Sequence, residues 1–212
     1  MDSLFPLLLD GRAVRLEPMS TAHVDGLVAA AAESRATYSL TNVPADVGAM
    51  AAYVETALAD VARGVAVPFV TVDKRRERVV GSTRFGRIER WSWPGAPVPP
   101  IPRGPDAVEI GWTWLAASAQ RTHVNTEAKL LMLTHAFEVW GVRRVTLMTD
   151  ARNARSRANI ERVGARLDGI LRAHQPAWDG TIRDSAAYSM LPDEWPAARE
   201  RLKAQLRAPR PE

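Results

Sequence analysis

The chain of 212 residues is long enough for one well-buried core, so we expect a single domain over residues 1–212. Its content of 46% hydrophobic and 25% charged residues is ordinary for a soluble globular protein. Cysteine is absent, which excludes disulfides, thiolate metal sites and a cysteine nucleophile. The sequence has neither an apolar run long enough to span a membrane nor the features of a signal peptide, so a cytoplasmic location is expected.

The net charge of +4 comes from arginine-rich but scattered positions. Nucleic-acid-binding proteins more often gather basic residues on one stripe or interleave them with aromatic residues. A nucleic-acid partner is therefore not favoured, and the positive excess is better explained by an anionic ligand and by solubility.

The first part of the chain predicts one strand and two helices. Polar and apolar side chains alternate over residues 12–17, which indicates a strand. An alanine-rich helix follows to about residue 33, with Ser20 or Thr21 as its cap. A second helix is predicted over residues 48–63, where apolar side chains recur at helical spacing.

A hairpin and a proline-rich segment come next. The β-rich runs 67–73 and 79–88 flank a basic cluster at residues 74–78, which we interpret as the solvated turn of the hairpin. Residues 91–105 contain six prolines and two tryptophans, which forbid a helix or a central strand. We interpret this segment as an ordered loop insertion that lines a substrate cleft or a dimer interface.

The second part predicts a strand over residues 108–115, a helix over 124–140 ended by Gly141, and a strand over 144–149. The helix is apolar around most of its circumference, so we expect it to be buried between the sheet and another element. A strand, a helix and a further strand in this order predict a parallel pair.

The last part predicts a helix over residues 153–163 and strands over 166–174 and 181–191, which pair across an Asp-Gly turn. A C-terminal helix with a basic tail occupies residues 193–212. The fold class is therefore α+β, a mixed sheet that is largely antiparallel around one parallel junction and flanked by helices.

Residues 120–125 lie where the long helix is predicted to begin. A helix N-terminus offers unpaired backbone N–H groups and a partial positive charge, which suit pyrophosphate. Arg121, Thr122, His123 and Asn125 could add donors. The alternative is a plain strand-to-helix turn capped by Thr122.

Two further positions carry candidate chemistry. Asn153 either only caps the helix that follows or also offers its amide to a ligand along the strand edge. Glu109 lies inside a strand that looks buried on both faces. It is either a general base with a pKa raised by burial or the partner of an arginine in a salt bridge.

The chain resembles the GCN5-related N-acetyltransferase (GNAT) superfamily, most closely the RimJ/RimL-type subgroup, which acylates N-terminal amines. The resemblance covers nearly the whole chain. It rests on the order and spacing of the segments E-I-G-W, N-T-E-A-K-L-L-M-L-T-H-A-F-E, R-R-V-T-L-M-T-D-A-R-N-A-R-S-R-A-N-I-E-R-V-G-A, G-I-L-R, D-G-T-I-R-D and Y-S-M-L-P-D-E-W-P.

This resemblance implies transfer of an acetyl group, or of another acyl group such as succinyl, from acyl-CoA to a primary amine, without a metal. The strand backbone would pair with the pantetheine arm, the loop at the helix start would hold the pyrophosphate, and Asn153 would contact the pantetheine end. The implied acyl-CoA contacts are Ile110, Gly111, Trp112, Thr113, Trp114, Gln120, Arg121, Thr122, His123, Val124, Asn125, Asn153, Arg155 and Ser156.

The resemblance also implies the catalytic roles. The amine would attack the thioester directly, with Glu109 as the base, acting directly or through water, and Ser156 as the proton donor to the thiolate. Backbone N–H groups of the strand would stabilise the developing oxyanion.

Two departures from the family pattern affect this site. His123 and Asn125 replace the small residues of the family's phosphate loop, and Ile160 stands where many members carry a tyrosine general acid. The alternative function is therefore a GNAT-fold protein that binds CoA with weak or no turnover. An N-terminal residue of a protein, a small amine and an aminated antibiotic all remain possible acceptors, and we expect a homodimer.

Overall fold

The computed structural model describes residues 4–95 and 104–208. The centre of the predicted proline-rich loop and the end of the basic tail lie outside these residues. The described chain forms one eight-stranded sheet in the order β1-β2-β3-β4-β5-β6-β8-β7. The strands are β1 (Leu9–Asp10), β2 (Val14–Pro18), β3 (Val67–Asp73), β4 (Arg78–Glu89), β5 (Ala107–Leu115), β6 (Arg144–Asp150), β7 (Arg166–Pro176) and β8 (Ile182–Met190). The helices are α1 (Val24–Ala32), α2 (Val47–Ala62), α3 (His123–Thr134), α4 (Ala154–Val163) and α5 (Trp195–Arg207).

Every neighbouring pair of strands is antiparallel except β5 and β6, which are parallel. This confirms the predicted fold class, including the position of the parallel junction. The two predicted hairpins are present as β3–β4 and β7–β8, and Gly180 takes a positive φ of 78° in the second turn. The two-residue strand β1 is not predicted from the sequence, because it is too short to show an alternating pattern.

Strands β5 and β6 pair only at their beginnings. Their parallel register ends with Glu109 opposite Thr146, although both strands continue for several residues. On its other edge β5 contains a bulge, because Trp112 and Thr113 have no register partner between the pairs Arg84–Gly111 and Ser82–Trp114. Trp112 has a positive φ of 51° there. A bulge bends its strand and increases its twist, so β5 turns away from β6 and a slot opens between them.

The helices cover both faces of the sheet. Successive strand residues point to opposite faces, and Ser82 bonds with Tyr53 of α2 whereas Thr83 accepts a hydrogen bond from Lys129 of α3. Helix α5 packs over the far side of α3, where the rings of Trp195 and Phe137 stack with centroids 5.8 Å apart. This confirms that the apolar helix is buried between the sheet and a second element.

The helix predicted over residues 124–140 changes character before its end. It is α-helical to Thr134 and continues as a π-helical segment, His135–Trp140, before Gly141 ends it with a φ of 71°. The glycine stop is confirmed, whereas the change of helix type has no signal in the apolar pattern. Within residues 4–95 and 104–208, no helix is long and apolar enough to cross a membrane.

Candidate functional site

Two helix N-termini lie at the slot between β5 and β6. Helix α3 begins shortly after β5, and α4 begins shortly after β6. Because β5 and β6 are parallel, their C-terminal ends lie at the same edge of the sheet, and the unpaired N–H groups of both helices are brought there. From Ile110 onward no strand of the described chain pairs with the edge of β5 that faces β6. The slot therefore combines a free strand edge with a positive helix end.

Thr122 is the cap of α3, as one interpretation of the sequence predicts. Its Oγ1 accepts from the N–H of Val124 at 3.2 Å and donates to the carbonyl of Ala119 at 2.6 Å. Capping does not remove the anion site, because an α-helix has several N–H groups without intrahelical partners in its first turn. Arg121 precedes the cap with a positive φ of 59° and an exposed side chain.

The two residues that replace small residues in the phosphate loop have different surroundings. The amide of Asn125 turns towards α4 and donates to Oδ1 of Asn159 at 3.2 Å. The side chain of His123 is half-buried at the first position of α3. Asn125 therefore links two helices, and His123 is the side chain that stands at the start of the helix.

Gln120 and Arg155 connect the two sides of the slot. Arg155, on α4, donates to Oε1 of Gln120 at 3.2 Å and to the carbonyl of Thr37 at 2.8 Å. Gln120 in turn donates to Oγ1 of Thr37 at 2.9 Å and to the carbonyl of Leu115 at 2.8 Å. These bonds tie the start of α4 to the end of β5 and to the loop after α1.

Asn153 caps α4 by accepting from the N–H of Ser156 through Oδ1 at 3.0 Å. The cap occupies only the oxygen, and within the described chain the amide nitrogen of Asn153 has no hydrogen-bond partner. Ser156 is half-buried in the first turn of α4. Within residues 4–95 and 104–208, no hydrogen bond joins the two predicted catalytic side chains, Ser156 and Glu109.

Glu109 is both buried, as expected of a general base, and paired with an arginine, as expected of a salt bridge. Its side chain is buried, and Oε2 lies 3.3 Å from Nε of Arg87 in an ion pair. Burial raises the pKa of Glu109, and the positive charges of Arg87 and Arg183 offset part of this rise. A carboxylate with a raised pKa at the point where β5 and β6 separate has the properties of a general base.

The arginines around Glu109 have no distinguishing signal in the sequence. Arg87 lies on β4 and Arg183 on β8, so they are nearly a hundred positions apart and meet only through the sheet order. His174 belongs to the same region, because burial followed by the charges of Arg87 and Arg183 lowers its pKa. Only a correct prediction of strand order and register could have grouped these side chains.

Lys129 is a second buried ionisable group that the sequence conceals. It lies on the apolar helix α3 with 4% of its surface exposed, and Nζ donates to Oγ1 of Thr113 at 2.7 Å and of Thr83 at 3.3 Å. The two hydroxyls also lie 2.8 Å from each other and share one hydrogen bond, and both are within reach of the carbonyl of Gly111, just before the bulge of β5. Burial lowers the pKa of Lys129 from 10.5 to about 7.

The chain matches the model of the Acetyltransferase (GNAT) domain family over residues 13–166. It is similar in structure to a GCN5-related N-acetyltransferase from Brucella melitensis, with 28% identity, a TM-score of 0.82 and coverage of 98% of this chain and 88% of that chain. It is also similar in fold to Mycobacterium smegmatis RimJ in complex with CoA-disulfide, with 22% identity, a TM-score of 0.71 and coverage of 92% and 90% of the two chains. A third similar fold is RimL, a ribosomal L7/L12 alpha-N-protein acetyltransferase, with 19% identity, a TM-score of 0.71 and coverage of 87% and 94%. No curated protein matches the chain.

The lowered pKa of Lys129 makes stability depend on pH between neutral and about 10. In this range the unfolded chain carries a proton on Lys129 that the folded protein lacks, so the folded state gains stability as the pH rises, by about 1.4 kcal/mol per unit. The substitution Lys129→Met removes the titrating amine and with it this contribution to the pH dependence of stability. We expect the free energy of urea unfolding of the wild type, relative to that of Lys129→Met, to rise from pH 7 to pH 10.

Lys203→Met, at a partly exposed position on α5, is the matched control and should show no such change. A difference between the wild type and Lys129→Met that is constant across this range would show that Lys129 keeps its charge in the folded protein.

Proposed function

The chain belongs to the GNAT acetyltransferase family, and we propose that it transfers an acetyl group from acetyl-CoA to the α-amine of a protein or peptide N-terminus. The observation that carries the proposal is Glu109, a buried carboxylate with a raised pKa at the start of the slot between β5 and β6. An N-terminal acceptor is supported by the likeness in fold to RimL, which is described as an alpha-N-protein acetyltransferase. Acetyl is favoured over succinyl because the matching family is one of acetyltransferases.

The residues of the slot fit coenzyme A. The free edge of β5 from Ile110 to Trp114 offers backbone groups to the amides of the pantetheine arm, and the N-terminus of α3 suits the pyrophosphate. The amide nitrogen of Asn153 would donate to the pantetheine end, and Arg155 and Gln120, which bond to each other, would contact the cofactor beside it. When bound, acetyl-CoA supplies an activated thioester.

Glu109 would accept the proton of the substrate ammonium group, directly or through water, and so produce the neutral amine that forms the new C–N bond. Backbone N–H groups of Ile110 to Trp112 would donate to the carbonyl oxygen as negative charge develops on it. Ser156 would hold a proton at Oγ for the sulfur as the C–S bond breaks. The side chain of Ile160, buried on α4, has no proton to offer.

Glu109→Gln should lower kcat by about a hundredfold, the usual contribution of a positioned base, with little change in the affinity for CoA. In the wild type, kcat/KM should fall as the pH falls through the raised pKa of Glu109, because the carboxylate becomes protonated. The variant should lack this acid limb. Release of free thiol from acetyl-CoA, followed over a range of pH, measures both effects.

Glu55→Gln, on the exposed face of α2, serves as the control. An acid limb that persists unchanged in Glu109→Gln would remove Glu109 as the base.

The second candidate, a CoA-binding protein without turnover, is motivated by the changed phosphate loop. Tight CoA binding without thiol release from any acyl-CoA, tested against a panel of peptides and small amines, would favour it.

His123→Gly should preserve or improve the affinity for CoA, since a glycine lets the backbone approach the phosphates more closely. Asn125→Gly is the matched variant and should in addition loosen the contact between α3 and α4. Titration calorimetry with CoA measures both affinities. A clear loss of affinity in His123→Gly alone would show that the imidazole itself contacts the phosphates.

We also propose that the protein is a homodimer. Edge strand β7 and the hairpin that follows expose large apolar side chains, among them Leu167, Trp178 and Ile182. Light scattering should give a mass twice that of the chain, and Trp178→Ser with Ile182→Ser should shift it towards that of a single chain. A monomeric mass for the wild type at micromolar concentration would refute the dimer.

A further inference from the structure

A recess of about 300 Å³ opens beside Glu109 and plays no part in the mechanism above. It lies between the end of α2 and strands β4 and β5, and Gly86 and Arg87 form part of its lining. Gly86 is the register partner of Glu109, and Arg87 forms the ion pair with it. An amine held at Glu109 would therefore carry its substituents to the entrance of this recess.

The walls of the recess are largely apolar. They include Val65, Ala66 and the ring of Trp112, which lies across Gly86. A Cβ on Gly86 would be only 2.4 Å from this ring, so glycine is needed to make room for it. Trp112 belongs to the bulge of β5, and its backbone lies on the strand proposed to bind the acyl donor. Trp112 is therefore shared by the recess and the slot proposed to bind the donor.

The charges that line the recess are compensated within the protein. Arg84 is buried between the rings of Tyr53 and Trp112, at 5.4 and 4.9 Å from their centroids, and Nη1 donates to Oδ2 of Asp60 at 3.3 Å. Arg87 is paired with Glu109. Among the described residues Nε of Arg84 has no hydrogen-bond partner, although the guanidinium as a whole has Asp60 as its counter-ion. A charged group entering the recess would lose its hydration beside charges that already have ion-pair partners, which is costly.

We propose that this recess is the subsite for the acceptor's own side chain and that it selects an uncharged, compact side chain on the carbon that bears the amine. The inference rests on the proposed function. The volume of the recess is at the lower end of the range for ligand pockets, about 300–1,000 Å³. The recess therefore suits one side chain rather than a whole second ligand. The ion pair of Asp60 with Arg84 gives this buried guanidinium a counter-ion within the protein and is therefore the determinant of charge selectivity.

The test uses short peptides that differ only in their first residue, glycine, alanine, leucine, aspartate or lysine, and measures kcat/KM from thiol release with acetyl-CoA. The ratio of each value to that of the glycine peptide reports the side chain alone. For the wild type we expect the alanine and leucine peptides to exceed the aspartate and lysine peptides at least about tenfold, as differences of one to three kcal/mol produce.

Asp60→Asn removes the carboxylate beside Arg84 and leaves a buried positive charge without its partner. We expect the ratio of the aspartate peptide to the leucine peptide to rise at least about tenfold in this variant, because a carboxylate can now compensate Arg84. Asp25→Asn, on the exposed face of α1, is the matched control and should leave all ratios unchanged.

Val65→Phe provides a second test that does not disturb a buried charge, since Val65 is partly exposed. The larger ring should narrow the recess and lower the ratio of the leucine peptide to the glycine peptide about tenfold. If the glycine peptide is acetylated but both variants keep the wild-type ratios, the recess is not the acceptor subsite. If no peptide or amine releases thiol with any of the proteins, the proposed function itself fails, and the subsite with it.

Discussion

The separation of β5 from β6 is the constraint on which the rest of the proposed site depends. Two parallel strands that paired along their full length would use their facing N–H and C=O groups on each other. Here pairing stops at Glu109 and Thr146, and the bulge at Trp112 turns β5 aside. The backbone groups beyond this point are left for an extended ligand, and the helices that follow both strands begin at the opening that results.

Buried ionisable groups gather around the same bulge. Lys129 lies beneath it, Glu109 precedes it, and Arg84 stands beside it, each more than nine-tenths buried. Burying a charge is unfavourable unless it is paired or carries a function. Arg84 and Glu109 have ion-pair partners, whereas Lys129 has only hydroxyl partners, which accounts for the lowering of its pKa. Burial of these groups lowers the stability of the region, while their contacts hold the bulge in one arrangement.

Local patterns predict the elements well because each element is specified by its own residues. Periodicity places the strands and helices, the Asp-Gly pair places the second hairpin, and Thr122 and Asn153 mark two helix starts by capping. The parallel junction also follows from local reasoning, because a strand, a helix and a strand in that order favour it. Burial pointed to Glu109 and the helix start to an anion site, and the resemblance to a family added the roles proposed for them.

Features that depend on register could not be predicted in this way. The bulge is a mismatch between two strands and leaves no mark in either one alone. Arg87 and Arg183 look like any other arginines until the sheet order brings them to Glu109. The burial of Lys129 was not predicted, because one charged residue in an apolar helix is ordinarily assigned to its solvated side. The contact of Asn125 with Asn159 depends on the packing of two helices, which neither helix shows alone.

Trp112 belongs to two surfaces at once, since its backbone lies in the strand proposed to bind the acyl donor and its ring lies over Arg84 and Gly86. The proposed donor and acceptor sites therefore share a residue. A substitution of Trp112 would alter both the ring over Arg84 and the residue that holds a positive φ in the bulge, so it would act on both proposed substrate sites. If the proposed sites are correct, free energies from paired substitutions across this residue will not add, and a change of acceptor specificity requires redesign of the strand that binds the donor as well.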